Sequence, residues 1–383
     1  MQASTTNFLQ LTGLRKSSHA KSSYYELMLR NCVKTFLAII LYYSGLIGII
    51  RVLGSHYAKI LIYHSISDRE SIFVRGTGMW VSPVIFHTHL NYIRRNYKLI
   101  SLQKLVDSLK QGRISPRSVV LTFDDGFADN FHFVYPYLKR YKIEATIFLA
   151  TDCIDNKKAT WIQELNYLIN NVGIQGVIRG INALAQELGI NGLIIETNSE
   201  TDIRKQVEEY LGHRVCKKLR DTILTRLYRE FNIRKEKVFS ENQLFLTKDQ
   251  IFQMCRDGIH FGSHGSSHTP FSAMTLPEQH EEILNSRRVI EKDFAQDFLP
   301  FSYPFGEAED FTPDTRAIIE NTGHDCIVTA MPTLNHGGTS PYELGRIDVR
   351  NVPVHSLAFE LEKGVLKHLL VKGKSWLRKV ING

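Results

Sequence analysis

From Lys59 onward, short apolar runs alternate with longer amphipathic stretches whose starts carry helix-capping residues. Ile60–Tyr63, Val119–Phe123, Ala145–Ala150, Ile259–Ser263, Phe298–Tyr303, Cys326–Thr329 and Leu344–Val349 read as strands, too short for helices and rich in β-branched and aromatic residues. Between them, Ser82-Pro83 opens a helix that runs to Asn96, with Ser as N-cap and Pro at the first helical position. Ser101 caps a helix ending near Gly112, another helix ends by Tyr141, and Thr247 caps one that reaches Gly258. Thr275, with Glu278 at the capping-box position, starts a helix to about Phe294, and Thr312–Asn321 is closed by Gly323. This rhythm predicts an α/β fold with a parallel sheet. Residues 152–243 interrupt it with helical character and turns at 171–173, 189–192 and 198–201. An insertion at the C-terminal end of a strand is either a lid or substrate-binding wall, or a helical subdomain with no part in chemistry.

The two ends differ from this body. Phe36–Ile50 is an uncharged run of fifteen residues, against about 20 for a helix that crosses a bilayer. Arg51 closes it without a cleavage signature, which argues against a signal peptide. It reads as a short membrane anchor, an interfacial helix, or an apolar helix packed on the domain. Gly364–Ile381 mixes Leu, Val and Trp376 with Lys at near-helical spacing, a basic amphipathic pattern. Residues 1–23, rich in Ser, Thr and Gln, are expected to be loosely ordered. The chain thus divides into an N-terminal segment 1–58, a body 59–350 and a tail 351–383. Of the net charge of +8, residues 1–60 carry +6 and residues 360–383 carry +4, which leaves the body at −2. Basic ends on a nearly neutral body point to an anionic membrane surface and away from nucleic acid. The expected location is the cytoplasmic membrane of a bacterium, the alternative being the cytoplasm. The five cysteines include no C-x-x-C pair and read as buried thiols.

Candidate chemistry sits in two distant strings, Thr122-Phe123-Asp124-Asp125-Gly126 and His264-Gly265-Ser266-Ser267-His268. Asp125, His264 and His268 can hold one divalent metal with a position left open for water, and Asp124 can take a proton from that water. The turn Pro304-Phe305-Gly306 can offer a backbone N–H to an oxyanion. All three strings fall at predicted strand C-termini, the face where a parallel barrel places its chemistry.

The strings TFDDG, GSHGSSH and FSYPFG, in this order, resemble the polysaccharide deacetylase family, carbohydrate esterase family 4. Ile62-Tyr63-His64, Trp161-Ile162-Gln163-Glu164-Leu165 and Leu344-Gly345-Arg346-Ile347 extend the resemblance over residues 59–350. It implies a distorted (β/α) barrel of about seven parallel strands, with a helical insertion and an apolar N-terminal helix added here. The implied activity is metal-dependent removal of acetyl groups, with Asp124 as base, Asp125, His264 and His268 on a metal, expected to be Zn²⁺, and Pro304, Phe305, Gly306, Trp161 and His64 toward substrate. The expected substrate is an N-acetylated envelope glycan, exopolysaccharide or lipid-linked precursor; O-acetyl esterase activity and a non-catalytic glycan-binding role are the alternatives. Three departures stand out. Gly265 replaces the usual Ser or Thr, Ser302 stands where the family carries an Arg that orients the base, and the late Leu-x-His has no counterpart at a strand end. Leu366-Lys367-His368 matches only in letters, and His336 and His355, the other candidates nearby, read as loop histidines.

Overall fold

A computed structural model describes residues 29–197 and 199–382, with side chains to residue 375; the Ser/Thr/Gln-rich stretch 1–23 lies outside the described residues. Helices α1 (Leu29–Tyr43) and α2 (Leu46–Leu53) lead into β1 (Lys59–Tyr63). There follow β2 (Ser65–Ile66), β3 (Trp80–Val81), α3 (Pro83–Asn96), β4 (Lys98–Leu99), α4 (Leu102–Lys110), β5 (Ser118–Phe123), α5 (Tyr135–Tyr141) and β6 (Thr146–Leu149). The insertion holds α6 (Trp161–Val172), α7 (Ile174–Glu187), α8 (Glu200–Glu209), α9 (Lys217–Glu230) and α10 (Lys235–Ser240). The chain then continues through α11 (Lys248–Arg256), β7 (His260–Ser263), α12 (Leu276–Arg288), β8 (Pro300–Ser302), α13 (Pro313–Asn321), β9 (Cys326–Val328), β10 (Ile347–Asp348) and α14 (Val354–Asn382). The sequence-level caps are in place: the Ser82 and Ser101 hydroxyls accept from the third N–H of α3 and α4, and Thr247 and Thr275 form capping boxes with Gln250 and Glu278.

Seven parallel strands form one curled sheet in the order β10-β1-β5-β6-β7-β8-β9, with β4 pairing the start of β5. The expected strand Leu344–Val349 is not continuous. Leu344 exchanges hydrogen bonds with β9, through Ile327 O and Thr329 N, while Ile347–Asp348 pairs with β1. The chain therefore crosses from one edge of the sheet to the other at Gly345-Arg346, which draws the curl toward closure. Gly345 is required there, because a Cβ would sit 1.9 Å from Thr333 Oγ1. The helix-facing sides of β1, β5, β6 and β7 bury Leu61, Tyr63, Leu121, Phe123, Ile147 and Phe261 against α3, α5 and α11 in one core, while Ile60, Val120, Phe148 and Val328 from the opposite face of the sheet form another. The insertion has its own core of Leu165, Val177, Ile181, Leu224 and Leu227, joined to the barrel by the stacked rings of Phe127 and Phe245.

The apolar N-terminal run breaks at Ser44-Gly45, and α1 and α2 meet at 87°. Among the described residues no single helix is long and apolar enough to cross a membrane. The basic C-terminal segment is the far half of α14, whose near half buries Leu357, Ala358, Leu361 and Val365 against the barrel. A buried ion pair, Lys59 Nζ to Glu362 Oε1 at 3.4 Å, fastens α14 to β1, and the Tyr97 hydroxyl donates to the same carboxylate.

His324 and His89 are buried, and burial holds each down to about 4. Unfolded histidine takes its proton near 6.5, so each contributes stability above that pH and loses it as pH falls from 6.5 to 4, up to about 3 kcal/mol per site. Among the described residues His324 Nε2 has no partner, and the ring stands edge-on to Phe301 in an apolar cluster. His324→Phe is expected to leave the melting temperature at pH 7.5 within a few degrees of the parent and to reduce its fall between pH 7 and 4.5, measured by thermal denaturation across pH.

Candidate active site

The C-terminal ends of β5, β7 and β8 deliver the three sequence strings to one place. Each string turns through the left-handed region: Asp125 (φ 69°), His268 (φ 57°) and Phe305 (φ 62°) are non-glycine residues held there. Such conformations cost on the order of 1–3 kcal/mol each and persist where surrounding structure imposes them. Gly126 follows Asp125 at φ 70°, where a Cβ would meet Leu149 Cδ2 at 2.6 Å. Asp124 N donates to Tyr63 O and His264 N to Leu149 O, which extends the strand ladders to the first candidate side chain of these two strings.

Asp125, His264 and His268 converge, with one ligand-capable atom from each within 4.8 Å of the others. Asp125 Oδ1 lies 3.1 Å from His268 Nε2 and 3.5 Å from His264 Nε2. Neither contact has hydrogen-bond geometry, and both carboxylate oxygens are buried without a donor among the described residues. His264 Nδ1 is 2.8 Å from Ser302 O, which directs Nε2 toward the carboxylates. A buried carboxylate without donors, flanked by two imidazole nitrogens, fits a divalent cation, with Ser302 O orienting one ligand from behind.

Asp124 is in the opposite situation. Arg346 donates from Nη1 to Oδ1 and from Nη2 to Oδ2, both at 2.7 Å, and Ser302 Oγ donates to Oδ2 at 3.3 Å. Arg346 also donates to Thr122 Oγ1, Ser302 Oγ and Thr329 O, so its guanidinium joins β5, β8 and the end of β9. Arg346 is 1% exposed and Asp124 3%. Burial pushes Asp124 up, but Arg346 and His264 outweigh it and hold the carboxyl below its usual range. Burial likewise opposes ionisation of Asp125, and the two imidazoles bring it well below that range.

The departures noted in the sequence resolve in space. Ser302 does not brace Asp124 alone; the arginine comes from the crossing between Leu344 and Ile347, a stretch to which no role was attached. An arginine between Gly345 and a β-branched strand residue was the available signal, since a buried guanidinium needs a carboxylate partner. The loop after His264 is braced without a hydroxyl at position 265. The Glu282 carboxylate accepts from Ser267 N, the Ser266 hydroxyl donates to Glu282 O at 3.1 Å, and Thr151 N and Asp152 N bind Gly265 O and Ser266 O. Phe305 packs its ring 5.0 Å from His268. Trp161 is buried and donates from Nε1 to His268 O at 3.0 Å, so it supports the ligand loop from behind. His64, at the end of β1, is half-buried, accepts at its carbonyl from Asn130 Nδ2, and acts electrostatically on both Asp124 and Asp125. His336 and His368 flank Tyr57, ahead of β1 at the other end of the strands.

Arg346→Met leaves Asp124 buried without a counter-charge, and a loss of about 3–5 kcal/mol is expected. Arg346→Lys keeps the charge but not the two-pronged geometry and should recover part of it. Chemical denaturation of both variants checks the order.

The polysaccharide deacetylase family model matches residues 111–327, more than half of the chain and a span that holds Asp124, Asp125, His264 and His268 but not Arg346. YxkH of Bacillus subtilis (strain 168), whose name places it in the same family, is 22% identical over 292 residues, 76% of this chain and 70% of that protein. Among solved structures, the Streptococcus pyogenes deacetylase PplD in complex with acetate superposes with a TM-score of 0.51 at 18% identity, over 80% of this chain and 98% of PplD. IcaB from Ammonifex degensii gives 0.50 at 16% identity, over 81% and 97%. At these identities the two structures establish the shared fold, and the match over residues 111–327 establishes that the chain belongs to the polysaccharide deacetylase family.

Proposed function

We propose that the protein removes acetyl groups from N-acetylated sugars of a bacterial envelope glycan, exopolysaccharide or lipid-linked precursor, using a divalent cation, Zn²⁺ foremost, held by Asp125, His264 and His268. The observation that carries this reading is the contrast between adjacent carboxylates: each oxygen of Asp124 accepts one N–H of Arg346, while Asp125 receives no donor among the described residues. A cation at Asp125 would supply Lewis acidity to the amide carbonyl and to the attacking water. Asp124, kept ionised by Arg346, retains lone pairs beyond those the guanidinium occupies and takes the proton of that water. In the Pro304-Phe305-Gly306 turn, Gly306 N is spent on Pro304 O, which leaves the Phe305 N–H as the donor for a developing oxyanion. This reading assigns protonation of the leaving amine to His64, which follows β1 and acts electrostatically on both aspartates. An O-acetyl ester would meet the same groups, and the choice of acyl bond is an outcome of the assay.

The reading extends to a membrane surface. α1 exposes Val33, Phe36, Leu37 and Ile40, α2 exposes Ile49, Val52 and Leu53, and α14 exposes Leu370 and Val371 beside Lys367, Lys372 and Lys374. Exposed apolar side chains on helices that also carry exposed lysines fit the interface of an anionic bilayer.

Acetate release from N-acetylated oligosaccharides is expected, with little from O-acetylated ones, and chelation should abolish it. Asp124→Asn should lose about 10²–10⁴-fold in rate while bound metal stays at the parent level, whereas His264→Ala should lose the metal. Arg346→Lys, by weakening the pull on Asp124, should move the acidic limb of the rate profile to higher pH. Full activity in Asp124→Asn would refute its role as base. Vesicle flotation checks the second reading: about tenfold stronger partition into anionic than zwitterionic vesicles is expected, reduced by Phe36→Glu with Ile49→Glu, and absence of the protein from both vesicle fractions would end it.

A further inference from the structure

A cavity of about 520 Å³ lies in the insertion, between α9, α10 and the segment joining β6 to α6. Trp161, Arg220, Lys235 and Ser267 are among its walls. Arg220 is 1% exposed, yet its hydrogen bonding is incomplete. Nη2 donates to Thr269 Oγ1 at 2.8 Å and the guanidinium lies over the Trp161 ring at 4.8 Å. Nε is 3.6 Å from Asp221 Oδ1, and among the described residues neither Nε nor Nη1 has a hydrogen-bond acceptor. Three of the acids around the cavity are already engaged by lysines: Asp152 by Lys158 at 2.9 Å, Asp221 by Lys217 at 3.0 Å and Glu164 by Lys235 at 2.6 Å. The fourth, Glu236, is exposed at the rim.

A buried guanidinium with unused N–H groups favours an acceptor, and an anionic one most, because charge-assisted hydrogen bonds are the strong ones and gain in a low dielectric. A neutral sugar hydroxyl returns less of the cost of keeping the cation out of water. The cavity's place gives the anion its context. Ser267 lines it, Trp161 Nε1 holds His268 O, and Thr269 is the Arg220 acceptor, so the loop carrying His268 forms a wall shared with the Asp125–His264–His268 cluster.

We propose that this cavity is a subsite for an anionic group of the substrate, a carboxylate or a phosphate, with Arg220 as its principal donor and Lys235 at its mouth. The inference rests on the reading of the substrate as an acetylated glycan, and it narrows that substrate to one bearing negative charge, held across the His268 loop from the Asp125–His264–His268 cluster.

The test is direct titration of the full-chain protein, by calorimetry, with glucuronate and with inorganic phosphate, together with KM for acetylated oligosaccharides of equal length that are neutral, uronate-bearing or phosphate-bearing. One of the two anions should bind, and the oligosaccharide carrying that group should show a KM about tenfold lower than the neutral one; which anion binds decides between uronate and phosphate. His264→Ala should keep anion binding, which separates the subsite from the metal cluster, and Arg220→Gln should lose it and raise the KM of the charged substrate to the neutral level. Should Arg220→Gln fail to give a cooperative melt, Lys235→Gln at the mouth serves instead, with about threefold weaker anion binding expected. Acetate release with equal KM for neutral and charged substrates, or anion binding unchanged in the soluble variant, overturns the inference while leaving deacetylation intact. Absence of acetate release from every acetylated oligosaccharide refutes the deacetylase reading instead, and anion binding lost with Arg220 would still stand.

Discussion

The pair between Arg346 and Asp124 is the interaction on which the arrangement of the site depends. Two charges, each almost wholly removed from water, face each other through two parallel N–H···O bonds of 2.7 Å. Burial alone would push the Asp124 carboxyl toward its neutral form; beside Arg346, whose remaining bonds go to Thr122, Ser302 and Thr329, it is held below its usual range. The arginine sits where the chain crosses from β9 to β1, so the same contact that fixes a carboxylate also fastens the two edges of the curled sheet. Barrel closure and the protonation state of Asp124 are thereby one structural fact.

Around that pair the strand ends are bent into conformations that ordinary residues avoid. Asp125, His268 and Phe305 adopt positive φ, and each bend turns a side chain back over the strand ends toward a common centre. The bends are held by contacts from outside the sheet. Glu282 on α12 and the backbone of Thr151 and Asp152 grip the loop between the two histidines, and Trp161 reaches from the insertion to the carbonyl of His268. The insertion therefore takes part in positioning the cluster. A helical segment inserted after β6 adds a second core and, with it, the wall that backs the site.

The ends of the chain follow different physics. The near half of α14 is a core helix fastened by Lys59 and Glu362, whereas α1, α2 and the far half of α14 leave apolar side chains facing outward. The apolar surface buried on one side and exposed on the other could not be apportioned from the linear pattern, because an apolar run of fifteen residues has the same composition whether it packs, lies at an interface or bends. The bend at Gly45, with its positive φ, divides the run into two short helices.

Much of the fold was legible in the chain. Seven apolar runs and their caps named the strands and helices within a few residues, since periodicity and capping are local properties. The four metal-capable side chains were legible too, because strand C-termini in a parallel sheet share one face. What the chain could not disclose was partnership at long range. Arg346 lies 222 residues from Asp124, in a stretch expected to be an unbroken strand, and its role appears only once Leu344 and Ile347 are seen to pair with opposite edges of the sheet. Glu282 and Trp161 gain their functions in the same way. Sequence determines which residues can carry charge, ligate or cap; only the closed sheet determines which charges are removed from water together, and that shared desolvation sets the state in which the two aspartates face the site.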